Sequence, residues 1–319
     1  MPDNNNKYFA AHSEITKVAR LSIYSNTILL IMKLVVGFML GSISVLSEAL
    51  HSGIDLLAAV IANYSVRKAG KPADEEHRFG HGKFENLSGT IEALLITMAA
   101  IIILYEAGSK IFLGDEVELN SELMAAGIVI MAISAFVNFY VSRKIMKVAM
   151  HAESIALEAD AYHLTTDVYT SIGVFIGLVL IHFTGNPIYD PIMAIIVALM
   201  ILKASYDLTK RSVSGLMDVK LSDKEENIIR SIIAEHYSSF AEYHDMRTRI
   251  SGAERFVDLH LVVPKNQHVG EAHDLCNHLE KDIKEKISNL SILIHTEPCD
   301  EDCQICRKLD FCKIPQTAK

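Results

Sequence analysis

Tryptophan is absent from the 319 residues, so an aromatic belt at a membrane surface would have to be built from tyrosine and phenylalanine. Positive charge is scarce. Lysine and arginine together number 30 against 39 acidic residues, a net charge of −9, which is the wrong balance for a nucleic-acid binder. No HExxH element occurs, which excludes the zincin type of intramembrane metalloprotease. The start, MPDNNNKYFAAHSE, lacks the charged-then-apolar layout of a cleaved signal peptide. Cysteine is sparse and uneven: Cys276 stands alone, while Cys299, Cys303, Cys306 and Cys312 crowd the end.

What is abundant is apolar sequence. Half of the residues are hydrophobic and the mean hydropathy is +0.25, too apolar for most soluble domains. Six runs approach the roughly 20 residues that cross a bilayer, at about 18–40, 43–67, 86–109, 122–142, 157–184 and 188–206. None alternates as a strand does, so helices are the expected spanning element. Basic residues cluster before the first run (Lys7, Lys17, Arg20) and between the second and third (Arg67, Lys68, Lys71, Arg78, Lys83). They recur between the fourth and fifth (Arg143, Lys144, Lys147) and after the sixth (Lys210, Arg211). The other links are acidic or short, with Lys110 the exception. Basic loops stay inside, so both termini are expected in the cytoplasm and the protein in the cell membrane.

Beyond about Gly215 the pattern changes. LSDKEENIIRSIIAEHYSSF reads as an amphipathic helix opened by a capping box, Ser222 with Glu225. HDMRTRIS and ERFVDLHLVVP read as a hairpin, HVGEAHDLCNHLEKDIKEKI as a second helix and LSILIHTEP as a closing strand. The expectation is an α-helical membrane protein of six transmembrane helices with a C-terminal α+β cytoplasmic domain. The divisions fall at 1–17, a cytoplasmic segment; 18–210, the membrane domain; 215–297, the α+β domain; and 298–319, a cysteine-rich tail.

The second run holds His51 and Asp55, and the fifth holds His163 and Asp167. A spacing of four puts each pair on one helix face. Ionisable groups in hydrocarbon are costly and mark ion or proton paths. Two imidazoles and two carboxylates make a four-coordinate N/O set suited to a divalent transition ion, zinc above all, and two aspartates neutralise one dication. Lys33 within the first run is read as pairing with an acid or snorkelling. Glu48, Glu92 and Asp160 are read as supporting partners or proton carriers.

SEALHSGIDLL, PADEEHRFGHGKFE and ADAYHLTTDVYTSIG, continued by HDMRTRISG and LIHTEP, resemble the cation diffusion facilitator family of metal/proton antiporters over nearly the whole chain. The resemblance implies a homodimer in the lipid bilayer, with a metallochaperone-like (ferredoxin-like) cytoplasmic domain. It implies no enzymatic step, and protons and divalent metal ions as the moving species. The family's central site matches His51, Asp55, His163 and Asp167. Members with two histidines and two aspartates there usually favour Zn2+, while iron, cobalt, cadmium or manganese stays open, as does a channel or a metal sensor. A second family site matches Asp74, His77 and His81 in the loop after the second helix. A third, in the cytoplasmic domain, matches His244, His260, His273 and His295, with Glu297 standing where Asp is usual; its zinc would be regulatory. Cys299, Cys303, Cys306 and Cys312 have no counterpart in that pattern, and their thiolates suit a soft or borderline ion.

Overall fold

The computed structural model describes residues 3–40, 43–113, 121–184, 186 and 188–299. The chain forms two compact units divided between Leu216 and Met217. The first contains six helices: α1 (Asp3–Leu40), α2 (Ile43–Ala69), α3 (Lys83–Leu113), α4 (Ser121–Ala152), α5 (Ile155–Thr184) and α6 (Tyr189–Leu216). All six are long and apolar enough to cross a membrane. Their outward faces carry large apolar side chains such as Phe38, Tyr105, Phe136 and Phe175, as hydrocarbon requires.

The fourth helix corrects the expected boundary. Arg143, Lys144 and Lys147 do not lie in a link; α4 runs on through them to Ala152, and only Glu153 and Ser154 separate it from α5. Lys and Arg are good helix formers, and the same stretch buries Val141, Ile145 and Ala149 against Ile15 and Ala19 of α1 and Leu157 and Leu164 of α5. Arg143 Cζ and Lys144 Nζ lie over the rings of Phe139 and Tyr140, at 4.9 and 4.6 Å, so each cation rests on an aromatic face one turn back along the helix. Lys210 and Arg211 likewise belong to α6.

The second unit contains α7 (Asp223–Glu235), β1 (Glu242–Ser251), β2 (Glu254–Val263), α8 (Val269–Lys286) and β3 (Leu290–Pro298). The sheet order is β1-β2-β3, with β1 antiparallel and β3 parallel to β2. A parallel pair needs a crossover, which α8 supplies. Gly252, with φ 60°, takes the first place of the two-residue hairpin turn, where a side chain would be strained. Alternation along β2 sends Val257, Leu259 and Leu261 into a core with Ile229 and Ile233 of α7 and Leu275, Leu279 and Ile283 of α8. Asp258 and His260 are left on the opposite face.

The capping box at α7 is present. Glu225 N–H donates to Ser222 Oγ (3.3 Å) and Ser222 N–H to Glu225 Oε2 (3.1 Å), while Arg255 Nε donates to Glu225 Oε1 (2.6 Å). Burial opposes ionisation of Glu225, but the bonds from Ser222 and Arg255 prevail and hold its carboxyl below the ordinary value. A lowered carboxyl contributes stability above its unfolded pKa and loses it as pH falls through the folded one. Glu225→Ala should therefore destabilise the domain by about 1–2 kcal/mol at neutral pH. In the full-length protein, hydrogen exchange of α7 should accelerate, and the difference from wild type should shrink below about pH 4.

Candidate metal centre

Two helices bring the central residues together. His51 and Asp55 stand one turn apart on α2, and His163 and Asp167 one turn apart on α5. One ligand atom each from His51, Asp55 and Asp167 lies within 4.8 Å of the others. His51 Nε2 is 3.8 Å from both Asp55 Oδ1 and Asp167 Oδ1. The fourth member joins through Asp55: His163 Nε2 is 3.0 Å from Asp55 Oδ1. An incoming ion would compete with this hydrogen bond for the same carboxylate oxygen. Asp55 and His163 are buried, whereas the His51 side chain is 44% exposed and opens onto a cavity of about 440 Å3 that all four residues line.

Several supporting residues were not singled out in the sequence as neighbours of this cluster. Asn138 of α4 donates to Asp167 Oδ2 (3.1 Å), and Asn26 of α1 donates to the Asp55 carbonyl (3.4 Å). An Asn inside an apolar run is the only trace either leaves in the sequence. Lys33 does not snorkel. It is buried, lines the same cavity and donates to Ser52 Oγ (2.8 Å). Asp160 accepts from Ser22 (2.9 Å) and Glu92 from Ser88 (3.1 Å), both deeply buried. The Glu48 side chain lies outside the described set.

A second cluster lies in the loop between α2 and α3. Asp74, His77 and His81 offer ligand atoms within 4.8 Å of one another, with His81 Nε2 3.2 Å from Asp74 Oδ2 and His77 Nδ1 3.3 Å from Asp74 Oδ1. The backbone N–H of His77 donates to Asp74 Oδ1 (2.7 Å). That bond, more than the neighbouring imidazoles, holds the Asp74 carboxyl below its usual range. His81 is buried with both ring nitrogens lacking a hydrogen-bond partner. The rings of His77 and His81 are 4.5 Å apart.

In the α+β unit the sheet register itself gathers the third set. His244 pairs with His260, and His260 with His295, so three strands present three imidazoles in a row. Glu297 reaches all of them: Oε1 is 2.9 Å from His260 Nδ1 and 3.6 Å from His295 Nε2, and Oε2 is 3.5 Å from His244 Nε2. The His260 contact is short but off hydrogen-bond alignment, and Nδ1 of His244 and of His260 have no hydrogen-bond partner. Asp245 was missed. A bulge after His244 and a left-handed φ of 49° turn it so that His244, Asp245 and His260 also offer atoms within 4.8 Å; an Asp within a strand was the available signal. His273 is separate from this row, exposed on α8. Cys299 is buried at the end of β3, its N–H donating to the Val263 carbonyl (2.9 Å). Cys303, Cys306 and Cys312 lie outside the described residues.

Apolar helices that bury imidazole and carboxylate groups along a cavity, joined to a small cytoplasmic-type α+β domain, define a membrane transporter of cations. Residues 19–217 match the cation efflux transmembrane domain and 221–299 the cytoplasmic domain of cation efflux proteins. The chain belongs to this family, the cation diffusion facilitators. It is 33% identical to an uncharacterized transporter of Synechocystis sp. over 82% of this chain and 83% of that one. An uncharacterized transporter of Methanocaldococcus jannaschii is 31% identical, covering 87% and 94%. The cation-efflux pump FieF of Shewanella oneidensis is 28% identical, covering 88% and 93%. A solved structure of CzrB in its Zn form is 36% identical and covers 25% of this chain and 90% of that one, at a TM-score of 0.24. The protein is thus a multi-pass membrane transporter for the efflux of divalent metal cations, and its family is not a class of enzymes.

Proposed function

We propose that the protein exports Zn2+ from the cytoplasm in exchange for protons, working as a homodimer with both termini in the cytoplasm. The observation that carries this reading is the meeting of His51, Asp55 and Asp167 within 4.8 Å, with His163 bonded to Asp55. Two nitrogen and two oxygen donors suit Zn2+ better than softer or harder ions. Metal enters only when the imidazoles are neutral. Protons arriving from the far side compete for the same nitrogens and carboxylates, so one site holds either an ion or protons, and that exclusion couples the two flows. The loop cluster of Asp74, His77 and His81 serves as a cytoplasmic entry or regulatory site. Ring nitrogens of His81, His244 and His260 lie near carboxylates without an aligned hydrogen bond, which supports metal binding outside the membrane, since buried polar atoms ordinarily find hydrogen-bond partners. Zinc on the sheet row, completed by the His273 of either protomer, would bias the dimer toward one arrangement. The cysteine tail would hold a thiolate-bound ion for delivery.

The test is proteoliposome uptake with a controlled pH gradient. Zn2+ uptake should rise at least about ten-fold when the gradient is imposed and collapse when it is dissipated. Fe2+, Co2+, Cd2+ and Mn2+ should compete more weakly than unlabelled Zn2+. Gradient-independent flux, or a stronger competitor, would reject the coupling or the cargo respectively.

A further inference from the structure

The cavity that holds the central quartet continues past it. It is bounded at its other end by Glu106 and Lys110 in the last turns of α3 and by Asp190 in the first turn of α6. Lys110 Nζ is 3.1 Å from Asp190 Oδ2. Glu106 precedes Lys110 by one helical turn, so the two side chains share a face. Asp190 stands in the first turn of α6, where the helix dipole favours a carboxylate. Its position is fixed by α5. A Cβ on Gly177 would stand 3.2 Å from Asp190 Cα and 3.5 Å from its Oδ1, so the start of α6 rests directly on a bare stretch of α5. Gly177 is ten residues beyond Asp167, about 15 Å along the helix, and Thr170, Ser171 and Gly173 wall the cavity between them.

From this we infer that Asp190 and Glu106 receive the outgoing cation, and that Lys110 is a tethered competitor that occupies Asp190 whenever no ion is passing. This rests on the proposed central site and on the orientation that puts this end of α3 and α6 away from the cytoplasm. Two carboxylates alone at the mouth of a low-dielectric cavity would retain dications from either direction. An ammonium fixed to the next helix supplies positive charge at constant local concentration, whatever the metal concentration outside. It lets each departing ion exchange through Asp190 and denies external metal a vacant anionic site. The charge also explains a basic residue at an end of the bundle that is otherwise acidic.

The experiment uses full-length protein in proteoliposomes, with graded Zn2+ loaded in the lumen and pH-driven uptake followed from outside. Molecules that take up metal have their release side facing the lumen. Lys110→Gln should become half-inhibited at about ten-fold lower lumenal Zn2+ than wild type. Lys110→Arg should keep the wild-type sensitivity, and Lys110→Gln with Asp190→Asn should return to it. Unchanged sensitivity in Lys110→Gln, or slower uptake with no change in sensitivity, overturns the inference. If Lys110→Gln does not fold, Glu106→Gln with Asp190→Asn reads the same carboxylates in the opposite direction. That variant should need about ten-fold more lumenal Zn2+ for inhibition, and no such increase overturns the inference equally. Asp55→Ala is run in parallel. Its failure to stop uptake would reject the central site, whereas a silent Lys110→Gln beside an inactive Asp55→Ala rejects only the exit role.

Discussion

Asp55→Ala should reduce metal flux by at least about 100-fold, a loss of about 2.8 kcal/mol or more in transition-state or binding free energy. Asp55 makes the shorter of the two contacts that join the helices at the site, the other being His51 with Asp167. Asp55 Oδ1 is 3.0 Å from His163 on α5 and 3.8 Å from His51 on its own helix, and it is buried. Alanine removes one negative charge from a site that must balance a dication away from water, and an uncompensated buried charge is strongly unfavourable. Asp55→Asn isolates that effect, because it keeps the shape and a hydrogen-bonding oxygen but not the charge. It should be nearly as inactive as alanine while leaving thermal stability closer to wild type. Asp167→Ala should behave alike, with a smaller change in stability, since its hydrogen-bond partner Asn138 is neutral and His51, at 3.8 Å, still has Asp55 beside it. Zn2+ flux and the thermal midpoint, measured on the same preparations, separate these effects. Wild-type flux in both alanine variants would remove the central site from the transport path.

Much of this centre is visible in the residues alone, because helical spacing is a local property. His51 with Asp55 and His163 with Asp167 must share a face once each run is a helix. Helical periodicity likewise marks α7 and α8, and strand patterning around the GA turn marks the three strands. What spacing cannot supply is the choice of neighbours across the bundle. Asn138 and Asn26 gain meaning only when α4 and α1 pack against the quartet, and the exposed-looking Lys110 only when α6 brings Asp190 beside it. The length of α4 was obscured for a related reason. An apolar run ends where charge begins, but a helix ends where its hydrogen bonding does, and Arg143, Lys144 and Lys147 ride outward on a helix whose other face is still buried. Asp245 depends on a bulge, a register irregularity with no fixed sequence mark.

The cytoplasmic row leads to the second large effect. Glu297 lies beside the row of His244, His260 and His295. β3 is an edge strand parallel to β2, and from position 297 the side chain carries its carboxylate over His260 to within 2.9 to 3.6 Å of three imidazoles. Glu297→Ala should therefore weaken zinc binding by the domain roughly 10–100-fold, seen as lost zinc per protomer after dialysis against a buffered Zn2+ series. Glu297→Gln should lose nearly as much, because the charge rather than the length is removed, and Glu297→Asp should fall between. Since this zinc is assigned a regulatory part, transport by Glu297→Ala should shift to higher cytoplasmic Zn2+ with little change in maximal rate. Equal loss of maximal rate in Glu297→Ala and Asp55→Ala would instead make the sheet row part of the path the ion travels, because a group that only biases the dimer cannot abolish flux once metal is saturating.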